Sequence, residues 1–191
     1  GDEPQQTKLR RKDMDLEMQS EVLQWAFKVP AIDHEDRAAL AVLDAILTAG
    51  DSSRLQRRFI DSGWAVSASG WLPPFQHEAL YEFAVTMREG RSAEAAIAIL
   101  RAELEDLRSR AVGEAELDRA RAQLLADQWE QLLSNSGRAG FIGFYEVAWG
   151  DWKHGLDFLE QLRSVTAEDV LRVAQTWFVE ERSSMVVGHP K

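Results

Sequence analysis

Residues 21–50 read EVLQWAFKVPAIDHEDRAALAVLDAILTAG, and two different periodicities follow one another within them. Over residues 21–29 apolar and polar side chains alternate, which is typical of a half-buried strand, and a proline ends the alternation. Over residues 34–49 apolar side chains recur three and four positions apart, which predicts a helix. We expect Asp33 to cap this helix and Gly50 to follow its last residue. The stretch therefore predicts a strand followed by a helix.

The sequence after residue 50 predicts a short helix, a hairpin and then a run of helices. Ser52 can cap a helix that runs to about Asp61, and alternating strands follow over residues 64–71 and 80–87 with a Pro-Pro turn between them. The later elements are helical or apolar segments over residues 92–111, 114–133, 136–149, 153–163 and 166–178, and a strand over 183–188. This order predicts a layered α+β domain.

The two ends of the chain differ in character. Residues 1–17 are polar and rich in charge, and we expect them to form a linker or an edge strand. Residues 18–191 are expected to form a single domain, because no second linker and no internal repeat interrupts them. The chain has no initiator Met, which favours a piece cut from a longer polypeptide, although a processed mature protein would look the same.

The composition excludes several classes of function. The 191 residues are 45% hydrophobic and 28% charged, which is typical of a globular protein. A formal charge of -10 opposes nucleic acid as a partner, because binding to phosphates depends on Lys and Arg. No apolar run approaches the length of a membrane span, so we expect no membrane contact from this segment. The absence of Cys excludes disulfides and thiolate chemistry.

The residues of familiar catalytic centres do not occur at their required spacings. The chain has four His, and neither His34 nor His77 opens an H-E-x-x-H motif, since Ala38 and Tyr81 stand four positions further on. The inverted H-x-x-E-H form and the G-x-S-x-G motif of serine hydrolases are also absent. We therefore expect no catalytic and no metal-binding residues, although convergence of the scattered His in space stays open.

Two further patterns have both a structural and a functional interpretation. The glycine-rich stretch over residues 137–143 is superficially similar to a dinucleotide loop, but its spacing differs and a helix precedes it, so we favour a close helix crossing. The aromatic residues of the predicted hairpin face either the core, which we favour, or a peptide groove. These residues are Trp64, Trp71, Phe75 and Tyr81.

Three segments together resemble a known family of enzymes. They are Ile46-Leu47-x-x-Gly50-x-x-Ser53-Arg54-Leu55, Glu116-Leu117-Asp118-Arg119-Ala120-Arg121 and Val165-Thr166-Ala167-Glu168-Asp169-Val170. In order and spacing they are similar to segments of the pitrilysin and insulinase family of zinc peptidases, which includes the mitochondrial processing peptidases. The resemblance covers about residues 20–190. It implies a two-layer α+β domain whose mainly antiparallel sheet is packed on one side by helices.

The resemblance also implies a function. Members of this family enclose a chamber between paired domains, and only one domain holds zinc through H-x-x-E-H. This chain looks like the non-catalytic, C-terminal type of domain, so it is expected to hold no cofactor and to help enclose the chamber of a zinc metalloendopeptidase. Its implied partners are a catalytic zinc-binding domain, in the same chain or in a partner subunit, and a peptide substrate. The usual location of members of this family is consistent with a bacterial periplasm or cell envelope for this protein.

One departure from the family concerns the substrate-binding residues. Active members often carry an Arg and a Tyr after the Ser-Arg-Leu motif, and the corresponding positions here are Ile60 and Val66. Neither can polarise a peptide carbonyl. A catalytically dead scaffold or assembly subunit of the same fold is therefore the alternative function, and an unrelated α+β binding module is a third. The chain alone is expected not to be an enzyme, whereas its parent protein would be a hydrolase.

Overall fold

The computed structural model describes residues 6–191, in which five strands form one sheet. The strands are β1 (Arg10–Leu16), β2 (Val22–Val29), β3 (Ala65–Trp71), β4 (Ala79–Met87) and β5 (Ser183–Pro190). The helices are α1 (Arg37–Thr48), α2 (Ala93–Ser109), α3 (Glu114–Leu133), α4 (Asn135–Trp149), α5 (Lys153–Ser164) and α6 (Ala167–Trp177). A π-helical segment (Gln56–Asp61) precedes β3, and a 3-10 turn (Glu180–Arg182) precedes β5. No helix within residues 6–191 is both long and apolar enough to cross a bilayer.

The predicted half-buried strand lies at the centre of the sheet. The strand order is β1-β5-β2-β4-β3, and every neighbouring pair is antiparallel except β1 with β5. Trp25 of β2 stands opposite Phe83 of β4 on one side and Met185 of β5 on the other. The predicted hairpin is confirmed as β3 and β4. The predicted fold class, an α+β domain with a mainly antiparallel sheet, is confirmed as well.

One face of the sheet carries the hydrophobic core. Along β2, Leu23, Trp25 and Phe27 are almost completely buried, whereas Gln24 between them is exposed. Helices α2 and α6 contact β2 on the buried face, and α1 packs against α6. Each large side chain buried in this way stabilises the fold by roughly 1.5–3 kcal/mol. The alternation in the sequence therefore arises because helices cover one side of the sheet, as predicted.

Helix α1 begins at Arg37 rather than at His34, and the predicted cap at Asp33 is wrong. The residue at the cap position is Asp36, but its side chain makes no capping hydrogen bond. The Asp36 carboxylate instead accepts hydrogen bonds from side chains of α6, including Arg172 at 2.5 Å. Local capping rules fail here because a tertiary partner, distant in sequence, draws the carboxylate away from the helix end.

The second predicted helix is not a regular α-helix. Residues Gln56–Asp61 form a π-helical segment, in which Phe59 is fully buried and Ile60 is half-buried. The strand that follows, β3, has an irregular register between Ala65 and Ser67. π-Helical turns and β-bulges occur frequently next to functional sites. The chain between α1 and the start of β3 therefore departs from regular helix and strand geometry at two places.

The glycine-rich stretch over residues 137–143 lies in α4, and only its first glycine stands at a close approach between helices. A Cβ atom at Gly137 would stand 1.8 Å from the backbone oxygen of Gln131 in α3. A Cβ atom at Gly140 or Gly143 would have nothing within 4 Å. A second close approach lies on α5, where a Cβ at Gly155 would stand 2.4 Å from Cζ of Phe141. The crossing interpretation is therefore wrong at Gly140 and Gly143, because these two positions face open space.

The first described residues extend the sheet at one edge. Strand β1 lies parallel to β5, with Arg10 opposite Ser184 and Leu16 opposite Pro190. Residues 1–5 of the predicted linker lie outside the described residues. The division into a segment over residues 1–17 and a domain over residues 18–191 stays a prediction.

Candidate binding surface

The two positions that correspond to the substrate-binding pair of the resembling family lie near one edge of the sheet. Ile60 belongs to the π-helical segment and packs against the core. Val66 lies on the edge strand β3 and is 59% exposed. Both side chains are hydrocarbon, so neither side chain can donate a hydrogen bond to a substrate. The correspondence of these positions to the family's Arg and Tyr stays a prediction.

The histidines do not converge on a common point. His34 accepts a hydrogen bond from the backbone N–H of Asp36 through Nδ1, at 3.0 Å. His189 lies between two carboxylates that approach different ring nitrogens, with Asp13 at 3.1 Å from Nε2 and Glu21 at 3.4 Å from Nδ1. The hydrogen bonds that the His189 ring donates to Asp13, and then to Glu21, raise the pKa of His189. Within residues 6–191 no group of three or more His, Asp or Glu is arranged to hold a metal ion.

The four aromatic residues of the predicted groove fall into two pairs. Tyr81 is fully buried in the core, and Trp64 is half-buried beneath the Arg91 guanidinium, which lies 4.3 Å from its ring centroid. Trp71 and Phe75 are about half exposed and make an edge-to-face contact, with 5.9 Å between their ring centroids. Only Trp71 and Phe75 of the four are therefore placed to bind another molecule.

Trp71 stands at the mouth of a cleft that we name the aromatic cleft. It has a volume of about 360 Å³ and lies between α1, the β3–β4 loop and helices α3, α4 and α5. The aromatic side chains that line it are Trp71, Phe141, Phe144, Tyr145, Trp149 and Phe158. Concave, mainly apolar sites of this size are the usual form of small binding sites in proteins.

Two buried ionisable side chains lie at the floor of the aromatic cleft. Arg37 is 7% exposed and donates hydrogen bonds to the carbonyls of Pro73 at 2.8 Å and Leu72 at 3.2 Å. Burial lowers the pKa of Arg37 to about 10, which leaves it cationic at neutral pH. Burial also raises the pKa of Asp44, whose carboxylate accepts a 2.7 Å hydrogen bond from Tyr81. Arg37 thus fixes the loop after β3 to α1.

An exposed apolar patch continues from the mouth of the cleft. Phe75, Phe144 and Val147 line a shallow depression next to it, and Trp71 joins Phe75 and Phe144 from the cleft side. We name these four side chains, Trp71, Phe75, Phe144 and Val147, the apolar rim. Contiguous exposed patches of this kind commonly mark interaction sites.

Sequence reasoning missed the contribution of α4 to this surface. It identified residues 136–149 only as apolar and interrupted by glycine, without assigning a face. The spacing of Phe141, Phe144, Tyr145 and Trp149, with intervals of three, one and four, was the available signal for one helical face.

Comparison with known sequences gives two results. The pattern of the family described as the peptidase M16 inactive domain matches residues 1–124 of the chain. The zinc protease PqqE of Helicobacter pylori is 31% identical over 172 residues, which are 88% of this chain and 38% of that protein. The chain thus spans well under half the length of this relative.

Comparison with solved structures agrees with the sequence matches. A protease from Helicobacter pylori is similar with a TM-score of 0.92 and 29% identity, over 98% of this chain and 46% of that one. A peptidase M16 inactive domain from Pseudomonas fluorescens is similar with a TM-score of 0.81 and 20% identity, over 96% of this chain and 44% of that one. At 20% identity the second likeness concerns the fold alone.

Proposed function

Since the chain belongs to the family of peptidase M16 inactive domains, we propose that it serves as the accessory, non-zinc-binding domain of a zinc metalloendopeptidase and helps to enclose its substrate chamber. The resemblance to the inactive domain of the pitrilysin family is confirmed by the same match. An unrelated α+β binding module, the third alternative, is excluded because the family pattern covers residues 1–124.

The family match over residues 1–124 is the observation that carries this proposal. The side chains at the two substrate-binding positions agree with it. The side chains of Ile60 and Val66 have no polar atoms, so they cannot stabilise the negative charge that develops on a carbonyl oxygen during hydrolysis. A domain with these residues contributes walls and contacts to a chamber rather than catalytic groups.

We assign the zinc ion to a different domain, in the same chain or in a partner subunit. The His, Asp and Glu of residues 6–191 do not fit a zinc site, because a catalytic site needs three protein ligands around one point. The zinc protease relative is long enough to hold such a domain, since this chain spans 38% of its length.

The apolar rim supports a docking role within the larger protein. Val147 is 77% exposed and Trp71 is 51% exposed, which is unfavourable for apolar side chains that remain in water. We propose that the rim packs against the catalytic domain, so that the aromatic cleft behind it comes to line the chamber. A peptide in the chamber would then find aromatic faces and the Arg37 cation at its wall.

The second candidate function is a catalytically dead scaffold or assembly subunit of the same fold. The hydrocarbon side chains of Ile60 and Val66 favour it as much as they favour an accessory domain. The two candidates differ in the peptidase activity expected when this chain is combined with the remainder of its parent protein. Only an accessory domain would restore hydrolysis.

The test measures zinc and peptidase activity in the same samples. The purified chain is first analysed for zinc and assayed with an unstructured peptide, with and without a chelator. We expect almost no zinc and no chelator-sensitive hydrolysis. It is then mixed with the separately produced remainder of its parent polypeptide, and we expect hydrolysis to appear. One tightly bound zinc per chain together with cleavage would overturn the proposal, and tight association without hydrolysis would favour the scaffold.

A further inference from the structure

A large polar cavity lies apart from the aromatic cleft and shares none of its lining residues. It has a volume of about 660 Å³ and lies between the π-helical segment, the end of α2 and the beginning of α3. We name it the arginine cavity, after the basic side chains that line it. These are Arg54, Arg57, Arg58, Arg110 and Arg119.

Arg54 holds together the acidic side chains of the arginine cavity. Its Nε and Nη2 donate to the two carboxylate oxygens of Glu116, at 3.0 and 2.8 Å. Its Nη1 donates to Oδ2 of Asp106 at 2.7 Å and lies 3.5 Å from Oε2 of Glu103. This paired geometry is the strong form of the interaction between a guanidinium and a carboxylate.

The remaining carboxylate oxygens of the cavity are paired as well. Arg58 Nε lies 2.5 Å from Oε1 of Glu103, and Arg110 Nη2 lies 2.5 Å from Oδ1 of Asp106. Burial acts to raise the pKa of Asp106, but hydrogen bonds from Arg54 and Arg110 outweigh it and hold the pKa below its ordinary value. Every oxygen of the three lining carboxylates therefore faces a guanidinium already.

The arginines have more donors than these carboxylates can accept. A guanidinium carries five N–H donors, and five guanidinium groups face three carboxylates here. The lining of the cavity thus carries an excess of two positive charges, on a chain whose formal charge is -10. Arg57 Nη2 lies 3.7 Å from Oε1 of Glu116, and the side chains of Arg57 and Arg58 are 59% and 64% exposed, so their further donors are accessible to solvent.

Arg119 adds positive charge beside the cavity, but part of its guanidinium is held inside the fold. Its Nη1 donates to the carbonyl of Ala49 at 3.1 Å. Its Nη2 is buried from solvent, and no acceptor within residues 6–191 is in hydrogen-bonding range of it. This atom is therefore not a contact for a ligand in the cavity, and the accessible donors are those of the more exposed arginines.

We propose that the arginine cavity binds a segment of acidic peptide through its carboxylates. Planar guanidinium groups match carboxylates in a two-point geometry, and several arginines at one site favour a ligand with more than one carboxylate. A volume of about 660 Å³ is far larger than a single small oxyanion and accommodates a few residues of extended chain. The site does not depend on whether the parent protein cleaves peptides.

The test measures the binding of a short dye-labelled peptide that alternates Glu and Gly, by fluorescence anisotropy at low and physiological salt. Its counterpart alternates Gln and Gly. We expect the Glu peptide to bind and the Gln peptide not to bind. The double variant Arg57→Gln/Arg58→Gln should weaken binding at least about tenfold, because it removes the exposed donors. Arg58 also pairs with the buried Glu103, so circular dichroism checks the fold of the double variant. The single variant Arg57→Gln leaves that pair intact and should weaken binding in the same direction.

The control removes the same charge elsewhere, in the variant Arg88→Gln/Arg163→Gln. Both of these side chains are exposed and neither lines the arginine cavity. Binding that is unchanged in the control and lost in the first variant supports the proposal. Equal losses in both variants, or no binding of the Glu peptide, would overturn it. Displacement of the peptide by an equal concentration of inorganic phosphate would overturn the assignment to peptide carboxylates.

Discussion

Helices α1 and α4 both have apolar faces, yet their surroundings differ. Helix α1 has 12 residues, and nine of them are buried against the rest of the molecule. Helix α4 has 15 residues, of which Phe141 and Tyr145 are buried. The chain's own core stabilises α1, whereas much of the apolar surface of α4 remains uncovered. The difference shows that α1 stabilises the fold of this chain, and it supports the proposal that α4 packs against another domain.

The largest expected effect tests this difference with the same substitution in both helices. Ile46 of α1 is fully buried, so Ile46→Ala should reduce the free energy of unfolding by about 2–5 kcal/mol through lost burial and a cavity. Ile142 of α4 is 47% exposed, and Ile142→Ala should cost less than about 1 kcal/mol. Urea unfolding of both variants measures the two values. Equal losses would contradict the division of roles between α1 and α4.

The second prediction concerns the tight packing of α4 against α5. A Cβ at Gly155 would lie 2.4 Å from Cζ of Phe141 and 2.6 Å from Cδ2 of Tyr145. Gly155→Ala should therefore destabilise the protein by about 1–3 kcal/mol, because these rings must move. Gly143 has nothing within 4 Å of its Cβ position, so Gly143→Ala should stabilise by roughly 0.5–1 kcal/mol. Thermal unfolding of the two variants measures these changes in stability and shows whether Gly155 is required for the packing of α4 against α5.

The regular part of the fold could be predicted because its signals are local. The alternation over residues 21–29 and the helical spacing over residues 34–49 each arise from one face meeting the core. The departures from prediction come from distant partners. Arg172 draws the Asp36 carboxylate away from the start of α1, and the two residues are 136 positions apart in the sequence.

Most of the residues that form the binding surfaces could not be predicted from the sequence. The arginine cavity joins Arg54 to Glu116, which lies 62 positions away in the sequence, and no local pattern reports that pairing. In the sequence, Arg57 and Arg58 look like ordinary solvated charges on a helix. The favoured interpretation of the hairpin aromatics, that they face the core, holds for Tyr81, whereas Trp71 and Phe75 are about half exposed. Exposure on a hairpin depends on which strands cover it, and that requires the tertiary structure.

The third prediction compares the N-terminal caps of two helices. Thr166 caps α6 in a complete capping box with Asp169, whereas Ser134 caps α4 through one hydrogen bond from Gly137 N at 2.9 Å. Thr166→Ala should destabilise the protein by about 1 kcal/mol, and Ser134→Ala by about half as much. Amide hydrogen exchange distinguishes them further, because loss of the α4 cap should increase exchange in α4 alone. Increased exchange in the core of the Ser134 variant would contradict the comparison.

The Thr166 cap also has a dependence on pH. The backbone and then the side chain of Thr166 donate hydrogen bonds that lower the pKa of Asp169. A carboxylate with a lowered folded pKa stabilises the fold above its unfolded pKa of about 3.9, and this stabilisation is lost as the pH falls through the folded value. The stability difference between the wild type and Thr166→Ala should therefore shrink below about pH 4. A difference that stays constant down to pH 2 would show that Asp169 is not coupled to the cap.

The last prediction has the smallest effect on stability and the clearest bearing on assembly. Val147 is 77% exposed in the last turn of α4, so Val147→Lys should change the free energy of unfolding by less than about 0.5 kcal/mol. A cation at this position is also compatible with the negative end of the helix dipole. If the apolar rim packs against the catalytic domain, the same change places a charge in that contact and should weaken association with the remainder of the parent polypeptide. Sedimentation or calorimetry of the chain mixed with the remainder of the parent polypeptide measures the strength of this association.

The control for Val147 places the same lysine on the uncovered face of the sheet. Leu80 of β4 is 44% exposed and lies outside the apolar rim, so Leu80→Lys adds equal charge without touching α4. Association that is weakened by Val147→Lys and retained in Leu80→Lys would locate the docking surface on α4. Association that survives both changes would mean that α4 stays uncovered in the assembled protein.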